Sequence, residues 1–143
     1  MTVHATRNPA AATQMRPRRP DLPRTLVGGF YLSMGGVHLG IVAADANFYR
    51  SFADQALFAF VRDGWASIFM AHPQLWGLAM VAGETVLGVL LLAGGRYAKL
   101  GWTGVIVFHL LLMLFGFAAW AWAIPALMLL VPLARADWPR LST

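Results

Sequence analysis

The sequence predicts an all-α integral membrane protein: a four-helix bundle with a short amphipathic interfacial helix between spans 1 and 2. Three observations predict it. Apolar residues make up 59% of the 143 and charged residues only 12%. A soluble domain carries roughly 25% charged residues, so this chain cannot coat a globule of its own size. Long apolar runs are nearly free of formal charge and match the thickness of a bilayer. The cations are sorted between the two sides of those runs.

Residues 1–23 are Ala, Pro, Thr and Arg with almost no large apolar side chain, and are expected to form a disordered basic cytoplasmic tail. Residues 1–24 hold five of the eleven Lys and Arg (Arg7, Arg16, Arg18, Arg19, Arg24) against one acid, Asp21, so +4 of the net charge of +5 lies there. A basic tail next to an apolar run reads as a topogenic signal and a contact for anionic lipid, and not as a nucleic-acid surface. The chain has no Cys, which excludes disulfides, thiolate metal sites and thiol redox exchange.

The first span, about 25–44, is an uncharged apolar run long enough for a hydrocarbon core of ~30 Å. A signal peptide is the alternative, with Ala44-Asp45-Ala46 mimicking a cleavage site, but the run exceeds a signal core of roughly 7–15 residues. The segment 45–72 mixes acids, Arg and aromatics. Phe48, Phe52, Phe58, Phe60 and Trp65 suit the headgroup region, which predicts one interfacial helix broken near Asp63-Gly64. Pro73 can open the second span, about 73–95, because its missing N–H costs nothing in a first helical turn. Arg96 and Lys99 then form a basic turn. Leu100 to Ala134 carries no formal charge; as one helix it would be ~52 Å long, too long for a bilayer. Two spans fit, about 98–117 and 120–135, with the break within Phe115–Trp122. The tail 136–143 is polar. The domain is therefore 24–135. Trp102, Trp120, Trp122 and Trp138 are expected as interface anchors.

Four spans place both termini on one side. Nine cations lie on that side and two, Arg50 and Arg62, on the other, which puts both termini in the cytoplasm.

Chemistry is expected at ionisable groups inside the apolar runs: His38, Glu84 and His109. A charge at the bilayer centre costs roughly 2.5–3.5 kcal/mol, so such groups face the bundle interior and take partners. Counted from Arg24, Arg96 and Lys99, they lie roughly 21, 18 and 15 Å deep at the helical rise per residue, which predicts convergence. Small residues beside the polar ones, such as Gly77 and Gly88 with Glu84 and Gly116 with His109, would let the helices approach; Gly36 and Gly40 also form a GxxxG pattern, which carries little information in a glycine-rich chain. The cluster is either a hydrogen-bonded structural knot or a ligand-binding or proton-handling site. A quinone or other apolar head group suits Glu and His. Haem and a divalent metal are disfavoured, because HExxH and ExxH are absent and two His are few ligands. Asp45 and His72 near the outer interface, with Tyr31 on the His38 face, are candidates for an entrance; the alternative is solvated loop residues. The partners expected are the lipid bilayer and a membrane or peripheral protein.

Gly35-Gly36-Val37-His38-Leu39 in the first span, followed by Gly83-Glu84-x-x-x-Gly88-x-x-Leu91-Leu92-x-Gly94-Gly95-Arg96, resembles the DoxX-like family of four-helix bacterial membrane proteins over residues 25–134. The resemblance implies a multi-pass protein of the bacterial inner membrane. It also implies a link to oxidoreductase systems that work at the quinone pool, with Glu84 at the position of the family's second-helix acid. Related thiol oxidoreductase chemistry cannot carry over to a chain without Cys. His109 matches no family motif. The alternative to an oxidoreductase subunit is a non-enzymatic scaffold or assembly protein whose buried polar residues only fix helix packing.

Overall fold

The computed structural model describes residues 21–141. All its regular elements are helical. Four helices are long and apolar enough to cross a membrane: α1 (Leu22–Asp45), α4 (Pro73–Ala93), α5 (Gly95–Leu112) and α6 (Phe117–Asp137). Between α1 and α4 lie a 3-10 turn (Ala46–Tyr49), the short helices α2 (Arg50–Gln55) and α3 (Ala59–Gly64), and a π turn (Trp65–Phe69). The expected tail 1–23 falls outside the described residues except for 21–23, of which Leu22 and Pro23 already belong to α1.

The helix ends differ from expectation for local reasons. Arg96 and Lys99 are not a turn but lie in the opening turns of α5. Reversal is confined to Gly94 (φ 73°) and Gly95 (φ 53°), because two residues without a Cβ can take left-handed backbone where others would strain. The α5–α6 break falls within the expected window, at Gly116 (φ 83°), after a 3-10 turn at Met113–Phe115. The last helix runs to Asp137, and a 3-10 turn at Trp138–Leu141 buries Leu141. Residues 136–141 are therefore not a free polar tail.

The segment 45–72 is not one helix broken at Gly64. It breaks at Ala56 and Phe58, both extended, and the chain runs helically through Gly64 into the π turn. The cause is a tertiary hydrogen bond. Leu57 N–H donates to the Leu114 carbonyl at 3.1 Å, which pulls the backbone out of helix and clasps the segment to the α5–α6 break. At that clasp a Cβ on Gly116 would lie 2.8 Å from the Gln55 carbonyl oxygen.

The spans pack in the order α1, α4, α5, α6, and α1 touches α6 only sparsely. Close approach of α1 to α4 rests on Gly28 and Gly88, where a Cβ on Gly88 would meet the Gly28 carbonyl at 2.8 Å. Gly35 faces Thr85 in the same seam. The GxxxG pair is not used: a Cβ at Gly36 or Gly40 would meet nothing within 4 Å. Seven-residue spacing keeps Gly28 and Gly35 on one stripe, whereas Gly36 and Gly40 lie off it.

At the end carrying residues 21 and 141, the core closes on a polar knot. Asp137, 3% exposed, accepts from Trp102 Nε1 at 2.8 Å and from Arg24 through both oxygens at 3.3 Å. Arg140 pairs with Asp21 at 2.9 Å. Trp102 is fully buried. It is a core residue and not an interface anchor, because Asp137 supplies the partner its N–H would otherwise seek in water. Trp120 donates to the Met113 carbonyl at 2.7 Å. Of the four, Trp122 and Trp138 are exposed, and the Lys99 ammonium lies 5.6 Å from the Trp138 ring centroid.

Candidate functional site

The three intramembrane groups divide into two sets. His38 on α1 and Glu84 on α4 meet across the glycine seam, with His38 Nε2 3.5 Å from Glu84 Oε1. The other His38 nitrogen, Nδ1, is 2.7 Å from the Tyr49 hydroxyl, and the two rings stack at 10° with centroids 5.7 Å apart. Gly77 makes room for this: a Cβ there would press on Val42 and the Tyr49 ring. His109 does not join them. Its Nδ1 lies 2.8 Å from the Val105 carbonyl and 3.2 Å from the Tyr31 hydroxyl. Similar depth brought the groups near one level, but helix rotation separated them.

Tyr49 was outside the expected set. It is 1% exposed because the surface segment folds inward around it. Trp65 Nε1 donates to the Tyr49 carbonyl at 2.8 Å, Phe69 packs edge-on against the Tyr49 ring at 5.2 Å, and Trp65 stacks on Phe69 at 3.9 Å. Trp65 and Phe52 thus cap the bundle, whereas Phe48, Phe58 and Phe60 stay exposed. A Tyr eleven residues from an intramembrane His was the available signal.

The three entrance candidates fare differently. Tyr31 is buried at 2% exposure, so it belongs to the core beside His109 and not to an entrance; α1 carries it about two turns below the His38 level. Asp45 caps the 3-10 turn by accepting from the Asn47 N–H at 2.9 Å. His72 is exposed and precedes Pro73 at the start of α4.

Among the described residues two side-chain polar atoms are buried without a partner: Glu84 Oε2 and His109 Nε2. Each belongs to a residue that lines an apolar recess. Glu84 lines a cleft of about 280 Å³ with Phe69, Trp76, Met80, Leu87 and Phe108. His109 lines a separate groove between α1 and α6. Leaving a buried polar atom unpaired costs about 1–3 kcal/mol, so these two atoms are the candidate points for a further partner. Among the described residues no three metal-ligating side chains converge.

What the Glu84 cleft offers is one carboxyl oxygen, fixed by the His38 contact at its other oxygen, against aromatic and aliphatic walls. That arrangement suits a flat apolar molecule with one or two polar atoms. In comparisons with family models, with curated proteins and with solved structures, nothing matches this chain.

Proposed function

We propose that the protein is a membrane subunit of an oxidoreductase system, and that the Glu84 cleft binds a quinone or another apolar redox ligand. The observation that carries the reading is the buried, unpartnered Glu84 Oε2 at the wall of an apolar cleft. In its protonated form that oxygen donates to a ligand carbonyl, while His38 and Tyr49 hold the carboxyl in place and give it a route for proton exchange toward the loop-bearing end. The likeness of the Gly83–Arg96 stretch to the DoxX-like pattern supports the same assignment.

The orientation belongs to the reading. Nine cations on the side of the termini against two on the other support an orientation with both termini in the cytoplasm, and the DoxX-like resemblance supports a bacterial inner membrane. A reporter active only outside the cytoplasm, fused after Thr143, gives no signal; activity there would reverse the orientation.

The test of function is mass spectrometry of small molecules that co-purify with the protein. The unmodified chain carries a quinone, and Glu84→Gln, which keeps the side-chain shape, loses most of it. Equal quinone content in both proteins removes Glu84 from binding. No retained redox molecule in either protein favours a scaffold in which the His38–Glu84–Tyr49 set only fixes helix packing.

A further inference from the structure

The second recess is unlike the Glu84 cleft and does not depend on it. The groove between α1 and α6 has a volume of about 360 Å³ and is lined by Phe30, Tyr31, His109, Trp122, Pro125 and Leu129, among others. α1 and α6 touch only sparsely, which leaves this groove between them. Pro125 faces it without an N–H of its own.

At its inner wall His109 is 2% exposed, and its hydrogen bonds assign the tautomer. A carbonyl oxygen can only accept, so the 2.8 Å contact with the Val105 carbonyl requires the hydrogen on Nδ1. In the neutral ring Nε2 is then a bare lone pair, and it has no partner. The Tyr31 hydroxyl, 3.2 Å from the same Nδ1, lines the groove beside it. A water held between His109 Nε2 and the Tyr31 hydroxyl would have two polar partners, the fewest an ordered water takes, and walls that are otherwise almost all carbon. An acyl chain would fill the volume and leave Nε2 unpaired. The flanking rings of Phe30 and Trp122 lie 5.9 Å apart at 29°, an apolar, aromatic wall against which a flat ring packs well.

We propose that this groove is a second binding site, for an apolar molecule carrying a phenolic hydroxyl, whose O–H donates to Nε2 of His109. The hydroxyl oxygen is placed to accept from Tyr31, and the ring packs against Phe30 and Trp122. An apolar tail follows Leu26 and Leu129, both exposed, out to lipid. A ligand that only accepts, such as a carbonyl or an ether, does not fulfil the need at Nε2.

The probes are 4-octylphenol, its methyl ether 4-octylanisole, 1-dodecanol and p-cresol, titrated into the full chain in phosphatidylcholine nanodiscs with histidine labelled by nitrogen-15. Octylphenol saturably shifts the His109 Nε2 resonance and binds at least about tenfold more tightly than octylanisole, the size expected for one buried hydrogen bond. Comparable binding of the phenol and its ether overturns the proposal, and so does a spectrum that places the His109 hydrogen on Nε2. Dodecanol binding as tightly as octylphenol overturns the aromatic part. Cresol binding as tightly, which would point to a free phenol and not a membrane-borne one, overturns the role of the tail. Ala126→Phe, which fills the groove, abolishes the octylphenol shift; a shift that persists there places the binding elsewhere. Glu84→Gln leaves octylphenol binding unchanged, so the two sites can fail separately.

Discussion

Replacing Asp137 by Ala is expected to lower stability in detergent by about 3–5 kcal/mol, the usual cost of removing one partner from a buried ion pair. The carboxylate answers Arg24, whose side chain is 18% exposed, and the fully buried Trp102 N–H. Its loss leaves a cation and an indole donor without partners at the junction of α1, α5 and α6. Trp102→Phe removes only the hydrogen bond and part of the packing, and costs about 1–2 kcal/mol. Thermal unfolding followed by far-ultraviolet circular dichroism measures both. A change within about 0.5 kcal/mol for Asp137→Ala would mean that water reaches the site and solvates Arg24 and the Trp102 N–H in place of the carboxylate. Acid acts in the same direction on the neighbouring carboxyl. Partial burial raises the pKa of Asp21, but the Arg140 guanidinium paired with it outweighs that and holds it below the usual value. A lowered folded pKa contributes stability above the unfolded value of about 3.9 and loses it as the pH falls below that. Asp21→Asn removes that part of the acid sensitivity.

Glu84→Ala is expected to do more harm to folding than replacement of the whole set to which Glu84 belongs. The single change strands His38 Nε2, which has only the Glu84 contact at 3.5 Å, and costs about 1–3 kcal/mol. Glu84→Leu with His38→Leu and Tyr49→Phe removes donors and acceptors together, and such a replacement can be nearly neutral. His109 is left out, because its partners are Tyr31 and Val105. The measurement pairs thermal stability with retention of the co-purifying ligand. A stable triple variant that has lost the ligand identifies a binding site. A stable triple variant that keeps it assigns the set to packing. Instability equal to or greater than that of Glu84→Ala would refute the pairwise account of the cluster.

The spans were legible because hydropathy, charge and helix length act together: Thr25–Ala44 and the 35 uncharged residues from Leu100 admit few other arrangements in a bilayer. Glu84 was legible as a lone acid in an apolar run, and its meeting with His38 followed from depth. Depth cannot give rotation, which is why His109 was grouped with Glu84 when it turns toward Tyr31. Trp65 was read as a headgroup aromatic from composition alone, and Tyr49 was not singled out. The hydrogen bond from Leu57 to Leu114 joins residues 57 apart in sequence and leaves no local pattern, yet it decides where the surface segment breaks and which rings turn inward. Asp137 was counted with a polar tail because it sits past the last apolar run. The signal it did carry was an acid at the same level as Arg24, just before the first span.

The π turn ties the surface of the protein to its interior. Phe69 forms part of the wall of the Glu84 cleft, and its neighbour in the stack, Trp65, holds the Tyr49 backbone while the Tyr49 hydroxyl meets His38. Occupancy of the cleft and order in the surface cap are therefore linked free energies, and linkage is reciprocal. A ligand that packs against Phe69 steadies the cap, and a protein that grips the exposed Phe58 and Phe60 and steadies the cap tightens the cleft by the same factor. The proposed site thus connects to the exposed face of segment 45–72 through two stacked rings.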